Sequence, residues 1–357
     1  MTRRLSILSI VLLVPALLLA QAVSPAERLR FEEIRARHDR GEAVSEADRQ
    51  FAQSVMARIN QASAAQQNAQ WAATHPARES TGLVPVTDLA NGSYQGEQGG
   101  LYPGGRNTPP EAHLAEGLRL AKAIAPIDGR IVFLTIGMSN TTQETQAFLR
   151  LAAADRGINP AVTLVDGAQG GQTARITANP QANYWQVVDE RLAAAQVTAK
   201  QVQVVWMKQA NAAPSAGWPA AAKQLQTDLV ATLHNLHDRY PNLKLAYLSS
   251  RIYGGYAATP LNPEPYAYEG AFAVKWIIAA QIAGDPDLRR DRAPWIAWGP
   301  YLWADGVKGR KQDSLVWTRD DVGPDGTHPS DSGRRKVGHL LLEFLKSDPT
   351  AAPWFCR

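Results

Sequence analysis

The segment covering residues 325–330 contains the pair of side chains with the clearest chemical meaning. Asp325 and His328 are three positions apart in a turn, just before a predicted final helix over residues 333–345. At this spacing the carboxylate can accept a hydrogen bond from the imidazole Nδ1–H, which fixes the tautomer and leaves Nε2 facing a nucleophile. A base held in this way can activate a hydroxyl group. The alternative is a helix-capping turn that carries a surface histidine.

A matching nucleophile is Ser139, which occurs in the stretch Gly137-Met138-Ser139-Asn140. These residues follow a short apolar run and precede a predicted helix, so the serine is expected on a tight strand-to-helix turn. Such a turn exposes the serine hydroxyl together with its own backbone N–H near the start of the helix. Taken alone, the pattern also fits a serine that caps the helix.

Two further segments place glycine or amide side chains directly after apolar runs. The stretch 166–173 is rich in glycine, including Gly170 and Gly171, and it matches neither the Walker loop nor the dinucleotide fingerprint. Gln209 and Asn211 follow the next apolar run along the chain. Glycine allows the backbone to approach a ligand closely, and amide side chains can donate hydrogen bonds to it.

The elements that must position these residues are predicted from the alternation of short apolar runs with amphipathic segments after residue 111. Apolar runs of this length are typical of parallel strands covered by helices on both faces. We predict strands over residues 131–136, 162–165, 202–207, 243–248 and 295–298, and helices over 112–124, 143–154, 220–240 and 270–282. The fold class is therefore α/β with a doubly wound sheet, in which ligands bind beyond the carboxyl ends of the strands.

Together the four segments resemble the four sequence blocks of the SGNH (GDSL-type) hydrolases, in the same order and over residues 85–350. The resemblance implies a three-layer α/β/α sandwich with a flavodoxin-like parallel sheet. It also implies that Ser139 is the nucleophile, that His328 is the base and that Asp325 orients the base. This triad requires neither a metal nor an organic cofactor.

The resemblance also implies an oxyanion hole. Its donors would be the Ser139 N–H, the Gly171 N–H and the Asn211 amide, with Gly170 as the alternative to Gly171. Block one has Met138 where many members have aspartate. It is closer to the Gly-Gln-Ser-Asn of the carbohydrate and sialate O-acetylesterase branches.

Side chains suited to a sugar follow the fourth predicted strand. Arg251 and Tyr253, together with Gln209, are the candidate substrate-binding residues. Aromatic faces with polar tips and an arginine suit a sugar chain or an acidic sugar. The alternative for most of the aromatic residues near this segment is packing in the core and loops.

The N-terminal segment predicts export. Arg3 and Arg4 precede an apolar stretch over residues 5–20, and Ala20-Gln21-Ala22 is a small-x-small cleavage site, as in a secretory signal peptide. We expect cleavage near Ala22, a secreted or periplasmic location, and no membrane attachment after cleavage. The alternative is an uncleaved membrane anchor.

Composition excludes several other classes of protein. A chain with 45% hydrophobic and 20% charged residues is ordinary for a globular protein, which argues against disorder and against a multispanning membrane protein. The excess of 37 Lys+Arg over 33 Asp+Glu is small and scattered, so no nucleic-acid partner is expected. Cys356 is the single cysteine, which excludes an intramolecular disulfide and a four-cysteine zinc site.

The sequence predicts three parts and one main function. The parts are a signal peptide over residues 1–22, a helical extension and linker over 23–79, and an SGNH hydrolase domain over 80–357. The function is that of a secreted serine esterase acting on an acylated small molecule or glycan, most specifically O-deacetylation of a carbohydrate. The alternatives are a broad carboxylesterase or lipase with the same triad, and a non-catalytic glycan-binding protein that keeps the fold.

Overall fold

The structure, a computed structural model, describes residues 22–357. The predicted signal peptide, apart from Ala22, therefore lies outside the described residues. Two compact units divide the chain, the first ending at His75 and the second covering Pro76–Arg357. No helix of the described residues is both long enough and apolar enough to cross a membrane.

From Pro25 onward, the first unit contains the helices α1 (Pro25–Asp39) and α2 (Glu46–Thr74). Ser45 caps α2, because its side chain accepts a hydrogen bond from the N–H of Asp48. Val23 and apolar residues of both helices form a small core, whose members are Val23, Phe31, Ile34, Ala52, Val55 and Ile59. The predicted helical extension thus has the form of a two-helix unit.

The second unit alternates strands and helices. It opens with α3 (Val86–Leu89), a small hairpin of β1 (Ser93–Tyr94) and β2 (Glu97–Gln98), and α4 (Glu111–Lys122). The elements that follow are β3 (Ile131–Gly137), α5 (Ser139–Ala154), β4 (Val162–Asp166), α6 (Ala174–Thr177), α7 (Asn183–Ala194), β5 (Val202–Lys208), α8 (Ala220–Arg239), β6 (Leu245–Ser249), α9 (Tyr266–Ile282), β7 (Trp295–Trp298), α10 (Asp331–Ser347) and α11 (Ala352–Phe355). Short 3-10 helices lie at Ala199–Gln201, Pro286–Leu288 and Arg319–Asp321. The predicted strands are all present, with ends displaced by at most two residues.

Strands β3 to β7 form one five-stranded parallel sheet in the order β4-β3-β5-β6-β7. Counted from the first strand of this sheet the order is 2-1-3-4-5, which is the flavodoxin-like order of a doubly wound sheet. Helix α5 packs with α10, while α8 packs with α6 and α9, and these two groups form the helical layers. The predicted three-layer α/β/α sandwich is confirmed.

The burial of the strands explains why they could be predicted from apolar runs in the sequence. Every residue of β3, β5, β6 and β7 is buried, whereas most of the edge strand β4 is only half-buried. A strand covered by helices on both faces must be apolar on both faces, so it lacks the alternation of a half-exposed strand.

The order of the strands places a crevice between β3 and β5. From β3 the chain moves to β4 on one side, and from β5 onward it moves to the other side. Ligands bind at such a switch point, at the carboxyl ends of the strands. Gly137 ends β3 and Lys208 ends β5, and the two residues are paired in register. The loops that leave this point carry Ser139 and Asn211.

A residue without a side chain is required at Gly137. A Cβ there would overlap both Thr141 Oγ1 and the carbonyl oxygen of Lys208. We expect Gly137→Ala to lower the free energy of unfolding by about 1–3 kcal/mol, because overpacking a close-packed interior costs roughly this much. Urea unfolding of the purified variant measures the change.

Gly217→Ala is the matched control. A Cβ at this exposed position meets no atom within 4 Å, and the backbone is not in the left-handed region. We expect its free energy of unfolding to stay within about 0.5 kcal/mol of the wild-type value. Equal losses in the two variants would contradict the steric explanation.

Candidate active site

Ser139, His328 and Asp325 are joined by two hydrogen bonds. Ser139 Oγ lies 2.8 Å from His328 Nε2, and His328 Nδ1 lies 2.5 Å from Asp325 Oδ2. The serine begins α5 and the other two residues lie in the turn before α10, so groups 189 positions apart in sequence meet here. The structure thus brings together the three predicted triad residues in the order hydroxyl, imidazole, carboxylate.

The turn that carries His328 is built around the Asp325 carboxylate. Asp325 Oδ1 accepts hydrogen bonds of 3.0 Å from the backbone N–H groups of Thr327 and His328, which leaves Oδ2 for the imidazole ring. Gly326 has a φ of 64°, and a Cβ there would overlap the carbonyl group of Tyr256. Glycine is therefore needed for the turn to close in this conformation.

Hydrogen bonding keeps Asp325 ionised. Burial opposes ionisation, but hydrogen bonds from the His328 ring and from the backbone of His328 and Thr327 lower the pKa of Asp325 to about 2. Because this pKa is lowered, the associated stability is present above the ordinary value of about 3.9 and is lost as the pH falls towards 2. The carboxylate is thus charged at any pH used in an ester assay.

The carbonyl group of Thr327 links the histidine turn to two other elements. It accepts a hydrogen bond of 2.9 Å from Asn140 Nδ2 and one of 3.4 Å from Arg251 Nη2. Asn140 directly follows the nucleophile, so one side chain holds the serine turn and the histidine turn together. Asn140 was not among the predicted site residues, and its position beside Ser139 was the available signal.

The start of α5 leaves the Ser139 N–H available. The first N–H groups of a helix have no partner within the helix. Within residues 22–357 the Ser139 N–H donates no hydrogen bond, while the Thr142 N–H already bonds to the carbonyl of Met138. Thr141 Oγ1 donates to the Lys208 carbonyl at 2.6 Å and so fixes this first turn on β5.

The glycine-rich loop after β4 is fixed at its first residues. Asp166 accepts hydrogen bonds from Thr142 Oγ1 and from the Ala168 N–H, and burial raises the pKa of Asp166. The Gln169 N–H donates to the carbonyl of Gly137 at 3.0 Å. The loop is thereby attached to both β3 and α5.

This attachment brings Gly170 beside the serine. A Cβ on Gly170 would lie 3.9 Å from Ser139 Cβ, whereas a Cβ on Gly171 would meet no atom within 4 Å. Neither glycine N–H donates a hydrogen bond within the described part of the chain. A Cβ at Gly170, and not one at Gly171, would therefore come close to the nucleophile.

Asn211 is oriented by two hydrogen bonds of its own side chain. Its Nδ2 donates to Asp228 Oδ2 at 2.7 Å, and its Oδ1 accepts from the N–H of Arg175 at 3.1 Å. A carboxamide nitrogen carries two N–H groups, so one remains after the bond to Asp228. The predicted oxyanion donor is thus held rigidly, with half of its donor capacity used inside the fold.

The three predicted substrate-binding residues are all buried. Gln209 Nε2 donates to the carbonyl of Gln172 at 2.9 Å, and the Tyr253 hydroxyl donates to the carbonyl of Arg78 at 2.8 Å. The neighbouring aromatic residues are buried as well; they are Tyr256, Trp295, Trp298, Tyr301 and Trp303. Tyr253 therefore fits the alternative prediction, packing in the core, because it is buried and its hydroxyl group bonds to a backbone carbonyl within the fold. Arg251 differs, because it forms no ion pair within residues 22–357.

An ion pair that the sequence analysis did not identify lies next to the nucleophile turn. Lys208 Nζ is 2.7 Å from both carboxylate oxygens of Glu144, and neither side chain is more than 1% exposed. Burial lowers the pKa of Lys208, and the charge of Glu144 opposes this. The available signal was the spacing of Glu144 to Phe148, which places the glutamate on the buried face of α5.

Comparison with known proteins adds two distant likenesses. No protein-family model matches the chain, and no curated protein matches it. The YxiM protein of Bacillus subtilis is 12% identical, with a TM-score of 0.32 over 61% of this chain and 56% of that one. A gut microbial diltiazem-metabolizing enzyme is 15% identical, with a TM-score of 0.36 over 62% of this chain and 48% of that one. The chain thus spans about half the length of these solved structures, and the chemistry must be inferred from its own site.

The arrangement has the parts that acyl transfer requires. Ser139 can supply the nucleophile, and His328 can supply a base that Asp325 orients. Free backbone N–H groups lie at Ser139 and at Gly170 or Gly171. Within residues 22–357, no group of three or more His, Cys, Asp or Glu side chains is placed to hold a metal ion.

Removal of one member of the buried ion pair is expected to destabilise the fold. Glu144→Gln leaves the charge of Lys208 buried without a partner, and we expect the free energy of unfolding to fall by about 3–5 kcal/mol. Urea unfolding followed by circular dichroism measures the loss.

A double variant is the control for this charge effect. In Glu144→Leu with Lys208→Met, both charges are replaced by apolar groups of similar volume, and such replacements are often neutral or stabilising. We therefore expect the double variant to be more stable than Glu144→Gln. A double variant as unstable as the single one would show that packing, rather than an unpaired charge, causes the loss.

Proposed function

We propose that this protein is a serine esterase that removes O-acetyl groups from a carbohydrate or glycan. The observation that carries the proposal is the hydrogen-bonded line from Ser139 through His328 to Asp325. The preference for acetylated carbohydrate is supported by the resemblance of block one to O-acetylesterase branches. The signal-like N-terminal sequence supports action outside the cytoplasm, which fractionation of the producing cells tests.

In the acylation step, His328 Nε2 takes the proton of Ser139 as Oγ attacks the ester carbonyl carbon. The new C–O bond forms as the carbonyl electron pair moves onto oxygen, which gives a tetrahedral oxyanion. The imidazolium then donates its proton to the leaving alcohol oxygen, and the ester C–O bond breaks. Asp325 stabilises the imidazolium throughout and stays ionised, as its lowered pKa requires.

In the deacylation step, His328 takes a proton from water while that water attacks the acetyl-serine. The second tetrahedral intermediate collapses to acetate, and the Ser139 oxygen recovers its proton from the imidazolium. The reaction consumes one ester and one water and releases one alcohol and one carboxylic acid. All proton transfers use the single His328 Nε2 atom.

The oxyanion would be bound by backbone donors beside the nucleophile. The Ser139 N–H donates no hydrogen bond within residues 22–357, and the N–H of Gly170 or of Gly171 is proposed as the second donor. The remaining N–H of Asn211 is proposed as the third donor. Loss of one such donor typically costs about 2.7–4 kcal/mol in the activation barrier.

The exposure of the triad supports a large alcohol portion. The side chains of His328 and Asp325 are 30% and 31% exposed, and Ser139 is half-buried. A base that is open on one side can protonate the leaving oxygen of a sugar that remains attached to a chain.

The nucleophile is tested by removal of its hydroxyl. We expect a fluorophosphonate probe to label the wild-type protein but not Ser139→Ala, because the probe forms a covalent bond to an activated serine oxygen. Hydrolysis of p-nitrophenyl acetate is expected to fall by roughly 10³-fold or more. Gel fluorescence measures labelling, and absorbance measures hydrolysis.

Ser54→Ala is the control for the labelling experiment, since Ser54 is an exposed residue of the first unit. Labelling and activity that survive in Ser139→Ala would overturn the mechanism. A wild-type protein that neither reacts with the probe nor hydrolyses esters would instead favour the non-catalytic glycan-binding alternative.

Acyl preference is tested with p-nitrophenyl esters of increasing chain length and with acetylated glycans. We expect acetate to be released from the glycan, and kcat/KM to show no increase from the acetyl ester to the octanoyl ester. The reason is that each buried methylene contributes about 0.8 kcal/mol only where an apolar wall receives it. A preference for long acyl chains would contradict the acetylesterase proposal and favour the broad carboxylesterase or lipase.

A further inference from the structure

A cavity beside Asn211 is lined by polar side chains that are almost completely buried. It lies where β5 and β6 end and where α9 begins, and Ser250, Arg251, Asn262 and Glu269 all contribute to its wall. Each of these four residues is at most 5% exposed. Side chains of this type are rarely so deeply buried unless they are paired.

Each of the four side chains carries a polar atom without a hydrogen-bond partner. These atoms are Ser250 Oγ, Arg251 Nε, Asn262 Oδ1 and Glu269 Oε2. Eight such atoms occur in the described part of the protein, and half of them belong to residues that line this one cavity. Buried polar groups in native proteins are nearly always satisfied, and the exceptions require an explanation. A ligand that completes their hydrogen bonds provides one.

In Asn262 and Glu269, one polar atom of the side chain forms a hydrogen bond, and this determines which atom has no partner. Asn262 Nδ2 donates to the carbonyl of Asn211 at 3.1 Å, which a carboxamide oxygen cannot do, so Oδ1 is the free end. Glu269 Oε1 accepts from the Tyr94 hydroxyl at 2.8 Å, which leaves Oε2. Both free ends are therefore acceptors.

The cavity borders the candidate active site on two sides. Arg251 donates from Nη2 to the carbonyl of Thr327, the residue before His328. Asn211 lines the cavity and is the proposed third oxyanion donor. A substrate whose ester lies at Ser139 would thus have the cavity next to its alcohol or acyl portion.

The donors and acceptors in the wall discriminate between ligand classes. Asn262 Oδ1 and Glu269 Oε2 only accept, Arg251 Nε only donates, and Ser250 Oγ does both. A carboxylate or phosphate can only accept, so it would leave both acceptors unpaired and face Glu269 across the cavity. An acyl chain would satisfy none of them. A hydroxyl group donates once and accepts up to twice, so it can serve both kinds of partner.

The size of the cavity limits what enters. In the ligand-free structure it has room for about one water-sized group. A whole sugar ring would not fit, but one hydroxyl or hydroxymethyl arm would. The ring itself would then remain at the mouth, near the exposed triad.

We propose that this cavity is a subsite that binds a hydroxyl or hydroxymethyl arm of a neutral sugar, the alcohol portion of the substrate. The inference rests on the proposed esterase function and goes beyond it. It selects a neutral sugar over an acidic sugar, although Arg251 by itself would suit either.

The test compares two substrates in the full-length protein. One is a mono-O-acetylated methyl glucoside, and the other is p-nitrophenyl acetate, which has no hydroxyl group to place in the cavity. Glu269→Met removes the acceptor Oε2 at similar volume. We expect the ratio of kcat/KM for the sugar ester to kcat/KM for p-nitrophenyl acetate to fall about five- to tenfold, mainly through KM.

Ser250→Ala is the second variant, because it deletes an oxygen that has no hydrogen-bond partner among residues 22–357. It should lower the same ratio. Glu97→Gln is the control, since this carboxylate accepts from Trp276 outside the cavity and should leave the ratio unchanged.

The outcomes separate the two proposals. Failure of the wild-type protein to hydrolyse either ester overturns the proposed esterase. If the wild type hydrolyses both esters through Ser139 but neither variant lowers the ratio, the cavity holds only a water molecule and the subsite is rejected. A wild-type preference for acetylated uronates over the neutral sugar ester, abolished in Arg251→Gln, would also overturn it.

Discussion

The close approach of β3 to β5 at the carboxyl ends of the strands is the constraint on which the site depends. Gly137 and Lys208 are in register there, and only glycine leaves room for Thr141 and for the Lys208 carbonyl. Thr141 donates to that carbonyl, and the ammonium group of the same lysine meets Glu144 one turn further along α5. Two hydrogen-bonding groups of a single residue on β5 therefore hold the start of α5, and with it the direction of Ser139.

The buried ion pair between Lys208 and Glu144 favours one position of α5 along β5 over alternative positions. An ion pair out of water contributes little net stability relative to apolar residues of similar volume. A shift of α5 along β5 would, however, leave Lys208 and Glu144 charged and unpaired in the interior, which is costly. The pair thus penalises alternative positions of the helix. The same precision is needed at Ser139, because a nucleophile must stay within hydrogen-bond reach of its base.

Predictions from sequence succeeded where the signal was local. Strands were visible because burial on both faces makes their residues continuously apolar. The Asp325–His328 pair was visible because a turn of three residues brings both side chains together. Helix α7 and the hairpin of β1 and β2 were not predicted. Two-residue strands are too short to show a period, and the apolar residues of α7, such as Trp185, fell in a segment that we left unassigned.

Side-chain roles were harder to predict than elements. Tyr253 was expected to face a sugar, yet its hydroxyl bonds to a backbone carbonyl within the fold. Arg251 follows β6 in sequence and would be exposed in many loops, yet it is buried, donates to the carbonyl of Thr327 and forms no ion pair within residues 22–357. Arg251 and Tyr253 both follow β6, and their spacing in the sequence does not predict how the neighbouring loops pack on each of them.

By itself, the sequence determined the α/β class, the positions of the strands and the residues able to form a triad, because these depend on local hydrophobicity and on side-chain chemistry. Only the tertiary structure decided that a Cβ at Gly170 would come close to Ser139, that Asn211 shares its amide with Asp228, and that four residues with unsatisfied polar atoms line one cavity. These features depend on distances between segments far apart in the chain. Such distances are set by how helices and loops pack on the sheet, and no local pattern of residues records them.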